Sequence, residues 1–317
     1  DGFRLDTVNY YFHSQTLRDN PPRSRRGLKA PDPELVNPYD WQRHVYDQTQ
    51  PENLAFLKRL RALLDQYPDT TTVGEVGADD TLEVIAQYTA DGDKLHMAYS
   101  FDLLYEPHSA KFLHQVFGKF GRIVKDGWPS WAISNHDCPR IRTRWGGQQG
   151  GEAVARLAAV MQMTLRGSPC IYQGDELGLP EVELSFEQLQ DPYGIRMWPE
   201  LKGRDGCRTP FPWKKRGTSA GFSDAPKTWL PIPPEHREHR ALAVDQQTRN
   251  PDSMLNFYRN LLAWRKTHPA LLKGRLKLLP ADPQLLGYER RLDDDALLCV
   301  FNFSGKKARL PLPRGWT

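Results

Sequence analysis

The chain has 317 residues and a formal net charge of +4 at pH 7, from 43 Lys and Arg against 39 Asp and Glu. No run of about 18 apolar residues occurs, so the sequence predicts no membrane-spanning helix and no membrane partner. The basic residues are spread along the chain, which argues against nucleic-acid binding. The four cysteines have no metal-ligand spacing, and we expect free thiols in a cytoplasmic protein.

The chain opens on a short strand pattern that ends on charge. In Asp1-Gly-Phe-Arg-Leu-Asp6, the apolar Phe3 and Leu5 alternate with Arg4 and Asp6, so the two charged side chains share one strand face. An arginine beside an aspartate can keep that carboxyl group ionised for a function. The ordinary alternative is an ion pair at the protein surface without a function. Because the chain begins in mid-strand without Met, we expect it to be the C-terminal part of a longer protein.

Strand and helix patterns alternate after this opening. Further strands are predicted at 70–75, 95–104, 128–137 and 168–172, and helices at 51–67, 81–88, 110–124, 152–166 and 252–268. Repeated alternation predicts an α/β fold with a parallel sheet. Because the strands are apolar and end in polar residues, they fit strands four to eight of a (β/α)₈ TIM barrel, whose sites lie at the strand ends.

Two long polar loops and a β-rich tail complete the pattern. The loops span 20–49 and 180–250, and long loops on compact domains are usually functional. From residue 274, strand patterns at 276–279, 285–291, 296–304 and 308–312 alternate with turns. We therefore expect residues 1–272 to form the second half of a barrel and residues 273–317 an incomplete C-terminal β-sandwich domain.

Acidic residues end three of the predicted strands. Asp6, Glu75 and Asp137 would meet at one barrel mouth. Converging acids are suited to glycoside cleavage, in which one carboxylate attacks the sugar and a protonated carboxyl group protonates the leaving oxygen. A separation of about 5–5.5 Å between the two would retain configuration through a covalent glycosyl-enzyme.

Three motifs resemble signatures of the α-amylase superfamily of glycoside hydrolases. They are Gly2-Phe-Arg-Leu-Asp6, Val73-Gly-Glu75 and Ser134-Asn-His-Asp137. The segment 171–178 is similar to the family's eighth strand, and 203–213 resembles a loop of its exo-acting α-glucosidases and oligo-1,6-glucosidases. The resemblance covers nearly the whole chain, but the family's first signature, its strand-one loop and its small inserted domain are absent.

The resemblance implies roles for these acids and for several neighbours. Asp6 would be the nucleophile, Glu75 the general acid/base and Asp137 the stabiliser of the transition state. The implied substrate contacts are Arg4, His136, Arg204, Thr7 and Phe101. Among these, Arg204 would clamp the non-reducing 4-hydroxyl group and so restrict the enzyme to exo cleavage, with Arg208 of the same loop as a further candidate.

Two of these positions bear on the linkage that is cleaved. Thr7 follows the nucleophile, where α-1,6-specific relatives usually carry Val and α-1,4-specific relatives Ala or Thr. Phe101 would form an apolar wall beside the cleaved bond. We therefore predict a retaining exo-α-glucosidase for α-1,4-linked glucose in short substrates such as maltose and aryl glucosides, with transfer of glucose to acceptors other than water.

Two alternatives stay open. Within the family, the chain could be an oligo-1,6-glucosidase or a sucrose isomerase. In a different class, it could be a catalytically silent relative that acts as a subunit or a binding module. The resemblance implies no metal or other cofactor within this chain, but it allows a divalent cation, Ca²⁺ or Mg²⁺, in the missing N-terminal part. We expect a monomer or a homodimer.

Overall fold

The computed structural model describes residues 1–24, 36–104, 108–147, 151–232 and 237–316. Residues 25–35 of the first predicted loop therefore lie outside the described residues. Five parallel strands form the larger sheet, and each is hydrogen-bonded to the next one along the chain. They are β1 (Gly2–Leu5), β2 (Thr71–Glu75), β3 (Met97–Ser100), β4 (Pro129–Ala132) and β5 (Ser168–Cys170). The predicted parallel sheet is thus present, and its carboxyl ends share one edge.

Five long helices match the predicted helical segments to within a few residues. They are α1 (Glu52–Leu64), α2 (Thr81–Thr89), α3 (Ala110–Ile123), α5 (Glu152–Thr164) and α9 (Met254–Lys266). Caps determine where several of them begin. The side chain of Asp80 accepts from the Glu83 N–H, and that of Ser109 accepts from the Phe112 N–H. These caps satisfy donors that a helix N-terminus otherwise leaves unpaired.

Five further short helices of four to six residues occur in the described residues, where the sequence patterns predicted only one or two short helical pieces, both within 180–250. These are α4 (Ile141–Gly146), α6 (Pro192–Met197), α7 (Arg237–Ala241), α8 (Val244–Gln247) and α10 (Pro269–Lys273). Three of them, α6 to α8, lie inside the loop predicted at 180–250. Helices of four to six residues are too short to show an amphipathic period, which explains why the sequence indicated one or two of them at most and gave no bounds.

The tail forms a three-stranded antiparallel sheet. Its strands are β6 (Arg275–Leu278), β7 (Leu285–Leu292) and β8 (Asp295–Asn302). The strand expected at 308–312 is absent, since these residues have no regular structure. Pro311 and Pro313 provide the physical reason, because proline cannot donate a hydrogen bond to a sheet.

The tail sheet packs directly on the helices of the larger sheet. Arg290 is fully buried and donates to the carbonyl oxygens of Thr164, Leu271 and Gly274, at 2.5, 3.2 and 2.9 Å. The Tyr288 hydroxyl group lies 2.7 Å from the Thr164 hydroxyl group. One apolar core contains residues from both sheets and from α3 and α5. The predicted boundary at 272/273 falls inside α10 and stays a prediction.

The described helices also bear on membrane association. Among them, none is both long enough and apolar enough to cross a lipid bilayer.

Candidate active site

The carboxyl ends of β1 and β2 bring Asp6 and Glu75 together. Asp6 follows the last residue of β1, and Glu75 is the last residue of β2. The guanidinium group of Arg4 bridges them, with Nη1 2.5 Å from Asp6 Oδ1 and Nη2 2.7 Å from Glu75 Oε2. The structure therefore places three of the predicted site residues in one charged cluster at the end of the sheet.

Glu75 is buried and its carboxyl group is held from three sides. The Tyr99 hydroxyl group donates to Oε1 at 2.6 Å, whereas the Thr7 backbone N–H donates to Oε2 at 3.1 Å. Arg4 completes the set through its contact with Oε2. Only 5% of Glu75 is exposed, so these contacts compensate for the loss of water around the carboxyl group.

Asp6 is exposed and its pKa is held below its ordinary value. The largest cause is a hydrogen bond with the Glu75 carboxyl group, and the next is the hydrogen bond from Arg4. The positive charge of Arg4 lowers the pKa further. Asp6 is therefore ionised near neutral pH, which is the state that a carboxylate nucleophile requires.

Thr7 adopts a backbone conformation that the sequence did not predict. Its φ and ψ angles are 42° and 44°, in the left-handed region, which is rare for a β-branched residue. This turn directs the Thr7 N–H toward Glu75. Here the left-handed backbone supplies one of the donors that hold the carboxyl group, and such conformations recur at functional sites.

Asp137 is bound by two arginines of the second long loop. Arg208 Nη2 lies 2.7 Å and Arg204 Nη1 lies 3.1 Å from Asp137 Oδ1. His136 Nε2 is 3.4 Å from Oδ2. The side chain of Asn135 fixes the turn by accepting from the Asp137 N–H at 2.9 Å. Both arginine candidates from the sequence thus reach the same carboxylate, and Arg208 makes the shorter contact.

Arg204 is also anchored inside its own loop by Asp191. The two side chains form a bidentate pair, at 3.0 Å from Nε to Oδ2 and 2.8 Å from Nη2 to Oδ1, and the Arg204 N–H donates to Oδ2 at 2.9 Å. The Asp191 side chain is fully buried. The sequence did not indicate Asp191, because nothing in a polar, proline-rich loop shows which acid will pair with which arginine.

Phe101 and Tyr99 line the end of the sheet next to Glu75. The Phe101 ring is 5.5 Å from the Tyr99 ring, and a Cβ atom built at Gly77 would lie 3.4 Å from Phe101. The sequence motifs pointed to Phe101 but not to Tyr99. The sequence spacing could have indicated Tyr99, because it lies two residues before Phe101 and residues two apart in an extended segment point to the same face.

No group of three or more His, Cys, Asp or Glu side chains suited to a metal ion occurs in the described part of the chain. The expectation that this chain holds no metal or other cofactor stays a prediction.

Two further acids, the buried Asp175 and the half-buried Glu181, lie near Arg140 in the segments around Asp137. Burial raises the pKa of Asp175 to about 7 and that of Glu181 to about 7. Glu181 accepts from the Arg140 N–H at 2.8 Å, and Arg140 Nη2 donates to the Cys207 carbonyl oxygen at 2.8 Å. Arg140 therefore ties the segment after Asp137 to the loop that carries Arg204 and Arg208.

The stability of the protein should fall as pH rises toward 7, because of Asp175. Its pKa is about 7 in the folded chain, against an ordinary value of 3.8, so between these values the folded chain keeps a proton that the unfolded chain has lost. The contribution is absent below about pH 4, and it lowers the free energy of unfolding by up to about 4 kcal/mol once pH exceeds 7. Asp175→Asn should therefore stabilise the protein at pH 8 but not at pH 4.5.

Urea unfolding of both proteins at the two pH values measures this difference. Asp252→Asn, at an exposed aspartate, is the matched control and should change stability equally little at both. A lower stability of Asp175→Asn at pH 8 would show that attraction to Arg140 outweighs the cost of burial.

Comparison with known proteins gives one family match and many relatives. A model described as the alpha amylase catalytic domain matches residues 1–274. A probable alpha-glucosidase of Rhizobium meliloti (strain 1021) is 47% identical over 319 residues, covering 99% of this chain and 56% of that protein. An oligo-1,6-glucosidase of Halalkalibacterium halodurans is 30% identical and is matched over 96% of this chain and 57% of its own length.

Solved structures agree with these matches. The alpha-glucosyl transfer enzyme XgtA has a TM-score of 0.92 at 46% identity, covering 100% of this chain and 58% of that one. The trehalulose synthase MutB from Pseudomonas mesoacidophila MX-45 has a TM-score of 0.79 at 26% identity, with coverages of 99% and 59%. The chain thus spans a little more than half the length of these relatives.

Proposed function

Because the chain belongs to the α-amylase family of glycoside hydrolases, we propose that the protein is a retaining exo-α-glucosidase that releases α-1,4-linked glucose from short α-glucosides. Family membership confirms the resemblance seen in the sequence motifs. The likeness to solved members also confirms the predicted fold class, the second half of a (β/α)₈ barrel followed by an antiparallel sheet. The observation that carries the proposal is the Arg4 bridge between Asp6 and Glu75 at the strand ends.

The bridge supports different roles for the two carboxyl groups. The exposed and ionised Asp6 would attack the anomeric carbon, while the buried Glu75 would protonate the glycosidic oxygen as the C–O bond breaks. In the second step, Glu75 would take a proton from water, and the water oxygen would displace Asp6 from the sugar. Two inversions at one carbon give net retention.

Asp137, His136 and the two arginines would bind the terminal sugar. The Asp137 carboxylate is paired with Arg204 and Arg208. These two ion pairs hold the carboxylate in one orientation, in which it would accept hydrogen bonds from sugar hydroxyl groups. Because Arg204 is clamped by Asp191, it can close the end of the site without moving. A closed end would admit a single terminal glucose and account for exo cleavage.

Glucose transfer belongs to the same proposal. XgtA is described as an alpha-glucosyl transfer enzyme and MutB as a trehalulose synthase. A covalent glucosyl-enzyme can be attacked by an alcohol as well as by water, so one mechanism serves both outcomes. We expect transfer to other sugars at high substrate concentration.

We also propose that the protein works in the cytoplasm, as a monomer or homodimer. The four cysteines are free thiols, three of them buried, and free thiols favour a reducing compartment. The proposed substrates are maltose-type and aryl α-glucosides, and the chemistry described above requires no cofactor in this chain.

The preferred linkage gives the sharpest test of the proposed substrate. Because Thr7 follows the nucleophile, we expect kcat/KM for maltose to exceed that for isomaltose by roughly 10-fold or more, the size of a modest pocket discrimination. Glucose release is measured with the protein expressed from its complete gene. A 4-nitrophenyl α-glucoside serves as the control for overall activity, and sucrose tests for isomerisation.

Other results would favour the alternatives. Faster cleavage of isomaltose identifies an oligo-1,6-glucosidase, and conversion of sucrose to an isomer without net hydrolysis identifies a sucrose isomerase. Failure to act on any of these substrates would favour a catalytically silent relative that serves as a subunit or binding module.

A further inference from the structure

We propose that Tyr99 is a positioning residue for Glu75, and that it holds the carboxyl group in one orientation whether or not Glu75 carries a proton. The inference rests on the proposed function, because it assumes that Glu75 donates a proton in one step and accepts one in the next. The carrying observation is a short contact between two buried side chains on neighbouring strands.

The sheet register brings Tyr99 to Glu75. The two residues are paired opposite each other on β3 and β2, and opposite residues of neighbouring strands present side chains on the same face. Tyr99 is 5% exposed, and its ring lies against Phe101. Burial raises the pKa of Tyr99 above its ordinary value, so the hydroxyl group keeps its proton across the physiological range.

The two oxygens of Glu75 have different partners. Oε2 receives N–H groups from Arg4 and from the Thr7 backbone. Oε1 receives the Tyr99 hydroxyl group at 2.6 Å. Because the N–H groups can only donate, they suit an oxygen without a proton. A hydroxyl group both donates and accepts, so Tyr99 can pair with Oε1 in either state.

Asp6 cannot replace Tyr99 in this role. Asp6 also hydrogen-bonds to Glu75, but it must leave that contact when it bonds to the sugar. Arg4 Nη2 additionally donates to the Tyr99 oxygen at 3.1 Å, which fixes the hydroxyl group in place. Tyr99 is therefore the partner of Oε1 that can persist through both steps, whereas Arg4 and the Thr7 N–H hold Oε2.

Substrates that differ in their leaving group separate this role from a structural one. Maltose loses a sugar alcohol that needs a proton, whereas α-glucosyl fluoride loses fluoride, which needs little protonation. We expect Tyr99→Phe to lower kcat/KM for maltose by roughly 10- to 100-fold, the size of a lost hydrogen bond to a charged group. For α-glucosyl fluoride, we expect kcat/KM to change by less than about threefold, because that bond breaks without the acid.

Tyr88→Phe is the matched control. Tyr88 is also a buried tyrosine, and its hydroxyl group accepts from Asn53 Nδ2 at 2.8 Å, away from the described site. We expect Tyr88→Phe to change kcat/KM for both substrates by the same factor. An equal loss on both substrates in Tyr99→Phe would overturn the proposal, because it would show a purely structural role.

A second replacement keeps the test valid if Tyr99→Phe folds poorly. 3,5-difluorotyrosine at position 99 retains the ring and a more acidic hydroxyl group. The pH at which activity on maltose falls should then be lower than in the unmodified protein. The pH profile for α-glucosyl fluoride should stay the same. An unchanged pH profile for maltose would contradict the proposal. An unmodified protein that cleaves neither substrate would instead refute the proposed function itself.

Discussion

Replacing Asp6 with asparagine should lower the rate of glucose release from maltose by roughly four orders of magnitude or more, the loss expected when a nucleophile is removed. The amide keeps the shape of the side chain but cannot form the glucosyl-enzyme. Because Asp6 is exposed and Arg4 retains its contact with Glu75, the fold should be little affected. The measurement is kcat for maltose together with the thermal unfolding midpoint.

Asp65→Asn provides a close control for this experiment. Asp65 is also an exposed aspartate paired with an arginine, Arg61 Nε at 2.7 Å, but it lies at the end of α1. It should leave kcat unchanged within about twofold, as expected for a surface ion pair. Appreciable activity in Asp6→Asn would assign the nucleophile to another residue.

Replacing Glu75 with glutamine should lower kcat/KM for maltose by roughly 10²- to 10⁴-fold, the usual contribution of general acid catalysis. Hydrolysis of α-glucosyl fluoride should fall mainly in the second step, where Glu75 would activate water. Azide needs no general base, so its addition should restore turnover of α-glucosyl fluoride and yield α-glucosyl azide. Retention of configuration in that product would support the double displacement.

Glu83→Gln is the control, since Glu83 is an exposed glutamate in the first turn of α2. It should change neither kcat nor the response to azide. If Glu75→Gln kept its activity on maltose, or if azide gave no product, another group would have to act as the acid/base.

The sequence predicted the main architecture because it depends on local patterns, and the same patterns nominated the three acids, whose catalytic roles stay predictions. Apolar strands ending in polar residues identify parallel strands and the edge where their ends meet. The structure places Asp6 and Glu75 at that edge, in contact through Arg4. These features were accessible because short motifs and β-strand periodicity are encoded within a few consecutive residues.

The partners of the site residues were less predictable because they depend on tertiary contacts. Asp191 and Arg204 are thirteen residues apart in an irregular loop, and no periodicity relates them. The left-handed conformation of Thr7 runs against the preference of a β-branched residue and is compensated by surrounding contacts. At 308–312 the sequence predicted a strand that the structure does not contain. Alternating apolar residues indicated a strand there, but the prolines prevent its pairing.

The shared core between the two sheets limits how this protein can be recombined with its relatives. Phe117 and Trp131 pack in the same cluster as Tyr288 and Phe301, so the tail sheet completes the hydrophobic interior instead of resting on a finished surface. A chimera that joins this half-barrel to another protein's tail would have to preserve the fit across that cluster. The tail sheet can therefore be exchanged only together with the helices α3 and α5 that it packs against.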